Sequence, residues 1–245
     1  MFLPGVLGKP IYFFYRLAWS GLDWLYPPLC GGCCSSGSRW CLDCRKNISL
    51  IPRSICELCG EVLRSSGLCA LCQDCPPPYK ALRSWAVFSG ALRNALHRLK
   101  YQGDIALGEI LARPLIEMLN SLNWELDMIT PVPLGVARRK ERGYNQAALL
   151  AIPLSLGCGK TYEPRALSKI RETSSQVGLT WVQRRENVIE AFRARTNYVN
   201  GKSVLVVDDV TTSGATLDVC AHALIEAGAR QVYCLTLARA KLASS

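Results

Sequence analysis

The stretch SVLVVDDVTTSGATLDVCAHALIEAGA, residues 203–229, constrains the fold more than any other part of the chain. Val204, Leu205, Val206 and Val207 form a short continuous apolar run rich in β-branched residues, the pattern of a strand buried on both faces of a parallel sheet. From Leu217 onward, Val219, Cys220, Ala223, Leu224 and Ala227 recur at helical spacing, and Gly228 is placed to end that helix. The segment therefore reads strand, then loop Thr211–Thr216, then helix, with Asp208 and Asp209 at the carboxyl end of the strand.

Such a junction is where an open α/β sheet binds ligands, because the helix start offers unpaired N–H groups and the positive end of a dipole. Gly214 lets backbone approach a phosphate, and Thr212, Ser213 and Thr216 add hydroxyl donors. Two carboxylates suit a pair of sugar hydroxyls, so the pattern predicts a sugar phosphate as ligand. An Asp after a strand also makes turns, and Ser or Thr before a helix also caps it. It is the length of the combined pattern that favours a ligand site.

VLVVDDVTTSGAT resembles the signature of type I phosphoribosyltransferases, which binds 5-phosphoribosyl 1-pyrophosphate (PRPP). The resemblance implies that Asp208 and Asp209 hold the ribose hydroxyls, and that Thr211, Thr212, Ser213, Gly214, Ala215 and Thr216 cradle the 5′-phosphate. Three further stretches, ALRNALHRLKYQGD (91–104), PVPLGVARRKERGYNQAALLA (131–151) and RETSSQVGLTWVQRRENVIEAF (171–192), lie downstream of paired CxxC motifs and resemble the ComF family. That family comprises phosphoribosyltransferase-like proteins associated with DNA uptake in competence. The resemblance implies single-stranded DNA and competence-machinery proteins as partners besides PRPP.

By the same resemblance, Pro131, Val132, Pro133 and Leu134 form the loop that grips pyrophosphate, with Arg138 and Arg142 nearby. Arg171, Thr173, Gln176, Arg184 and Asn187 match a hood that closes over PRPP, Arg171 being a catalytic candidate beside the two acids. Mg²⁺ would bridge pyrophosphate and ribose oxygens rather than sit in an all-protein cage. Three positions depart from the pattern: Lys169 replaces an arginine, and Gly135 and Ala137 stand where basic or histidine-like residues are usual. Thr212 occupies the place of the acid that assists proton transfer to the base in purine-salvage relatives, and a hydroxyl is no base near neutral pH.

Ten of the thirteen cysteines lie before residue 80. Cys30/Cys33 with Cys41/Cys44, and Cys56/Cys59 with Cys69/Cys72, give two sets of four thiolates at zinc-ribbon spacings. The alternative, a disulfide framework, needs an oxidising compartment. Lys9, Arg16 and Asp23 interrupt the apolar N-terminus, and no small-residue cleavage pattern follows, which points to a cytoplasmic chain and to structural zinc. Spacing leaves the pairing of the CxxC units and the zinc count open, with Cys34 and Cys75 as alternative ligands. Two filled sites would lower the formal charge of +10 to about +6, so polyanion binding depends on where the positive charges sit.

Those charges interleave with aromatics in LRNALHRLKYQ and ARRKERGYNQ, where Arg98, Lys100 and Tyr101, and Arg138, Arg139, Lys140 and Tyr144, offer phosphate partners and stacking surfaces. A solvated helix face, or pyrophosphate alone, explains the same charge runs, and the tyrosines could equally pack in a core. His97 and His222 fall on predicted helices with no carboxylate or cysteine expected in register. An N-terminal apolar stripe of Phe14, Leu17, Ala18, Leu22 and Leu25 is expected to pack against the cysteine module or the core. Membrane-surface attachment is the alternative, and no stretch is long enough to span a bilayer.

At 245 residues the chain holds one α/β core plus a small module. The expected organisation is a helical segment over 1–29, a zinc-binding module over 30–79 and a phosphoribosyltransferase-like domain over 80–245. CPPPYK (75–80) serves as a stiff linker between the last two. The expected fold is a doubly wound, mostly parallel sheet, with strands near 85–88, 126–130, 204–207 and 232–237. A β-ribbon from 162–167 and 188–192 is expected to flank the hood.

Overall fold

The computed structural model describes residues 10–25, 27–171 and 191–240. Its centre is a five-stranded parallel sheet in the order β1, β7, β6, β2, β3: Ala81–Val87, Gln231–Arg239, Ser203–Thr211, Met128–Pro131 and Thr161–Tyr162. The apolar run of β6 is buried on both faces, as a central parallel strand requires. Alternation divides its side chains between two cores. Leu205 and Val207 face the layer of helices α1 (Pro10–Leu25), α4 (Gly90–Tyr101), α5 (Leu107–Ser121) and α7 (Gln146–Cys158). Val204 and Val206 face α8 (Thr196–Val199), α9 (Ala215–Glu226) and the antiparallel pair β4 (Leu167–Lys169) and β5 (Phe192–Ala194).

The expected ribbon is displaced. Thr161–Tyr162 joins the main sheet beside β2, where Glu163 N–H donates to the Ile129 carbonyl at 3.0 Å, and the ribbon starts instead at Leu167. Edge pairing to β2 satisfies backbone groups that a free ribbon would leave to solvent. Of the other hood residues only Arg171 is described; Thr173, Gln176, Arg184 and Asn187 lie outside the described residues.

The N-terminal stripe is also corrected. Phe14 is 66% and Leu17 49% exposed, and the buried anchor of α1 is Tyr12. Its hydroxyl donates to Glu109 Oε1 at 3.3 Å, and Arg16 lies 3.7 Å from the same buried carboxylate. Arg113 of the same helix holds the buried acid bidentately at 3.0 and 2.8 Å, and α1 adds further polar partners by turning Tyr12 and Arg16 inward in place of the apolar stripe. Side chains of Leu22 and Leu25 are outside the described set.

The cysteine-rich segment packs against the sheet. Short helices α2 (Leu42–Lys46) and α3 (Ala70–Asp74) each carry the last cysteine of a set. Leu82 N–H donates to the Leu58 carbonyl at 2.7 Å and Val87 N–H to the Ser49 carbonyl at 2.8 Å, so the second knuckle and the segment between the two cysteine sets run along β1, while the first knuckle meets α4, where Asn94 Nδ2 donates to the Gly32 carbonyl at 2.9 Å. Among the described residues no helix is long and apolar enough to cross a membrane.

Candidate ligand site at the carboxyl edge of the sheet

β6 runs two residues past the acid pair, so Asp208 and Asp209 lie within the strand and Thr211 is its last residue. Thr212 and Ser213 are exposed, Gly214 takes a left-handed φ of 84°, and Ala215 and Thr216 already belong to the first turn of α9. Ser213 Oγ accepts from Ala215 N–H at 3.5 Å, and Asp218 N–H closes the first helical bond to Gly214. The Thr216 and Leu217 N–H groups precede that ladder and face the loop side, where an anion finds both donors and dipole.

Because successive strand residues point to opposite faces, the two acids diverge. Asp209 is 3% exposed and forms an ion pair with Lys100 Nζ of α4. Its other oxygen accepts a long 3.5 Å hydrogen bond from Gln146 Nε2 at the start of α7. Gln146 Oε1 in turn accepts from Arg142 at 3.0 Å, and the Arg142 guanidinium lies 4.8 Å above the Tyr101 ring. Asp208 is on the α9 side, its carboxyl buried while part of the residue reaches solvent. Burial and the Asp209 carboxylate hold its carboxyl well above the usual range, while Asp209 N–H donating at 2.8 Å opposes the shift.

Next to the acids, Pro131 ends β2 opposite Val207, and Val132 N–H donates to the Val207 carbonyl at 2.9 Å. Asn145 holds the loop 132–135 from behind: its Nδ2 donates to the Val132 carbonyl at 2.9 Å, and its Oδ1 caps α7 by accepting from Ala147 N–H. Pro133 and Leu134 are partly buried, and the short helix α6 (Val136–Arg142) that follows buries no residue. Arg138, Arg139 and Lys140 thus point to solvent, whereas Arg142 folds back toward Gln146. Arg171 follows β4 and is exposed.

Lys100 and Gln146 escaped the sequence reading as partners of Asp209. Gln146 is 63 residues from the acid, and Lys100 sits in a basic helical run that reads as a nucleic-acid surface. In that run, Arg98 pairs with Asp104 at 2.7 Å and donates to the Cys30 carbonyl at 3.1 Å, and the Leu99 carbonyl accepts from Tyr144 OH of the second run at 2.6 Å. His222 does have a carboxylate in register, contrary to expectation: its Nδ1 lies 3.4 Å from Glu226 Oε1, one turn on along α9.

The sulfur atoms of Cys30, Cys33, Cys41 and Cys44 gather in one cluster, and those of Cys56, Cys59, Cys69 and Cys72 in another. None of the thirteen cysteines forms a disulfide. The Cys33–Cys41 and Cys59–Cys69 sulfur separations are both 3.7 Å, the edge of a tetrahedron with metal–sulfur bonds of about 2.3 Å. Cys41 N–H donates to Cys30 Sγ and Cys69 N–H to Cys56 Sγ, both at 3.4 Å, as thiolate ligands require. The donor sets fit structural Zn²⁺, and consecutive CxxC units supply each site without Cys34 or Cys75.

A phosphoribosyl transferase domain model matches residues 109–244, and a double zinc ribbon domain model matches 21–76. The DNA utilization protein YhgH of Escherichia coli O157:H7 is 34% identical over 227 residues, covering 88% of this chain and 96% of that protein. The chain belongs to the ComF family of phosphoribosyltransferase-like proteins. Competence protein F of Haemophilus influenzae is 29% identical over 221 residues, covering 82% of this ComF chain and 96% of that one. Competence protein ComFC of Bacillus subtilis is 27% identical over 212 residues, covering 81% and 83%.

Proposed function

We propose that this ComF protein binds PRPP with Mg²⁺ at the carboxyl edge of its sheet and transfers the phosphoribosyl group to an acceptor. The observation that carries the reading is the convergence of three unlike subsites on adjacent parallel strands. These are the hydroxyl-rich loop and helix start after β6, the Asp208 carboxyl beside it, and the loop 131–134 with Arg142 after β2. They fit a phosphate, a ribose and a pyrophosphate in that order.

Breaking the anomeric C–O bond builds positive charge on the sugar and negative charge on the leaving pyrophosphate. Asp208 takes the ribose hydroxyls, the α9 N–H groups fix the 5′-phosphate, and Arg142, folded back toward Gln146, stabilises the departing diphosphate. By the family resemblance, Arg171, exposed after β4, is a further cation for the same diphosphate. Bound Mg²⁺ would supply positive charge to the departing diphosphate, with ligands drawn mainly from the substrate. Calorimetric titration with PRPP in Mg²⁺, alongside pyrophosphate release with candidate acceptors, tests the reading. Micromolar binding supports it, and no heat with a folded protein refutes it. Adenine, guanine and hypoxanthine are expected to fail as acceptors, since Thr212 offers no general base.

A second reading, single-stranded DNA handling, is favoured by two observations. Relatives carry the names competence protein and DNA utilization protein, and Arg138, Arg139 and Lys140 stand exposed on α6. The two readings are compatible, because the exposed face of α6 lies beside the PRPP subsites rather than within them.

A further inference from the structure

The two acids of the VVDD motif have unlike surroundings, which suggests unlike tasks. Asp208 shares the α9 face with the phosphate loop. Asp209 shares the opposite face with Lys100, Gln146 and Arg142, directly behind the 131–134 loop. A carboxylate that is 3% exposed and already held by an ammonium and an amide is poorly placed to take ribose hydroxyls. It is well placed to aim the groups that hold it.

We propose that Lys100 is a diphosphate-binding residue of this site, and that Asp209, with Gln146, is its positioning group. The inference rests on the PRPP reading and divides the acid pair between the two ends of that ligand. An ammonium carries three donors, and Asp209 takes one of them. The Lys100 side chain is 20% exposed, and among the described residues no second partner takes its ammonium, which leaves two donors for a ligand. Arg142 arrives at the same cluster through Gln146, and its Nε is buried without a hydrogen-bond partner. The Asp209 carboxylate thus has one cation in direct contact, Lys100, and a second, Arg142, one amide away through Gln146. The Tyr101 ring under Arg142 and the Asn145 clamp on Val132 fix both sides of the cluster before any ligand arrives.

The test compares inorganic pyrophosphate, ribose 5-phosphate and PRPP by calorimetry in Mg²⁺, using the full zinc-loaded chain. In Lys100→Met, pyrophosphate and PRPP affinity should fall about 10- to 100-fold, the worth of one charged hydrogen-bonding partner, while ribose 5-phosphate affinity changes less than about twofold. Lys100→Arg should recover most of the pyrophosphate affinity, and Asp209→Asn should reproduce the Lys100→Met pattern in weaker form. Asp208→Asn should do the reverse, losing ribose 5-phosphate. Reductive methylation of the wild-type chain, read by mass spectrometry, gives a measurement free of folding effects: pyrophosphate should protect Lys100, and ribose 5-phosphate should not. Unchanged pyrophosphate affinity in Lys100→Met, equal losses for both ligands, or no protection overturns the inference while PRPP binding by the wild type stands. Wild-type protein that binds none of the three ligands overturns the PRPP reading itself.

Discussion

At the residue scale, the charge state of Asp208 sets a pH dependence. Burial and Asp209 raise its carboxyl, so in the free protein it keeps its proton to higher pH than an ordinary aspartate. Ribose hydroxyls donate to a carboxylate, so ligand binding is linked to loss of that proton and affinity rises with pH until Asp208 ionises in the free protein. Ribose 5-phosphate affinity followed by calorimetry from pH 5 to 8 should climb more steeply for the wild type than for Asp208→Asn, which retains only the ligand's own phosphate ionisation. Parallel slopes would remove Asp208 from the ribose site. Gly214 is the second sensitive residue. Its φ of 84° is open to glycine and costs other residues about 1–2 kcal/mol, and an added Cβ would lie 3.5 Å from the buried Tyr79 hydroxyl. Gly214→Ala should weaken PRPP binding roughly tenfold by tilting the loop away from the α9 N–H groups, a change readable in the same titration.

Elements tie the zinc module to this site more closely than a linker would suggest. Arg239, the last residue of β7, is paired in register with Thr211, the last residue of β6. Its guanidinium reaches the Cys59 carbonyl and lies 2.9 Å from Glu61 Oε2 in the second knuckle. Gly60, with a φ of 69°, passes so near β1 that an added Cβ would stand 2.5 Å from the Leu82 carbonyl oxygen. Gly60→Ala should therefore destabilise the chain by about 2–4 kcal/mol, combining left-handed strain with displaced backbone, as thermal unfolding would record. Elemental analysis of protein purified without chelator should give two zinc ions per chain, falling to one in Cys59→Ser. A zinc-free wild type that remains folded would contradict structural metal. The cysteine sets and the strand–loop–helix were legible in sequence because each is local, with ligands or apolar positions at short fixed spacings. The α1 face was not, since the buried Glu109 that turns Tyr12 inward lies on another helix. Nor was the start of the ribbon, because the pairing of Thr161–Tyr162 with β2 is a long-range choice.

For the whole molecule, the distribution of charge decides whether nucleic acid is a partner. The sequence presents two basic and aromatic runs as equals, but the fold separates them by spending one inward. Arg98 is held by Asp104 and Lys100 by Asp209, so the first run offers mainly Arg93 and its exposed His97 and Tyr101 rings, 4.9 Å apart, while the second run gives up Tyr144 to the Leu99 carbonyl. The second run keeps Arg138, Arg139 and Lys140 in solvent on a helix that buries nothing. A single strand crossing this face would place phosphates on α6 and a base against Tyr101, 56% exposed and backed by Arg142. Its apparent affinity must then fall as salt rises, because each neutralised phosphate releases counterions. Replacing Arg139 and Lys140 together by Gln should flatten the slope of log affinity against log salt by about 1.4, the value for two single-strand phosphate contacts. PRPP affinity should stay unchanged, since both residues point away from Gln146 and Asp209. Fluorescence anisotropy with a labelled oligonucleotide reads the slope. Binding absent at low salt, in protein that still takes PRPP, would confine this molecule to small-molecule chemistry. An unaltered slope in the double variant would move the DNA path off α6.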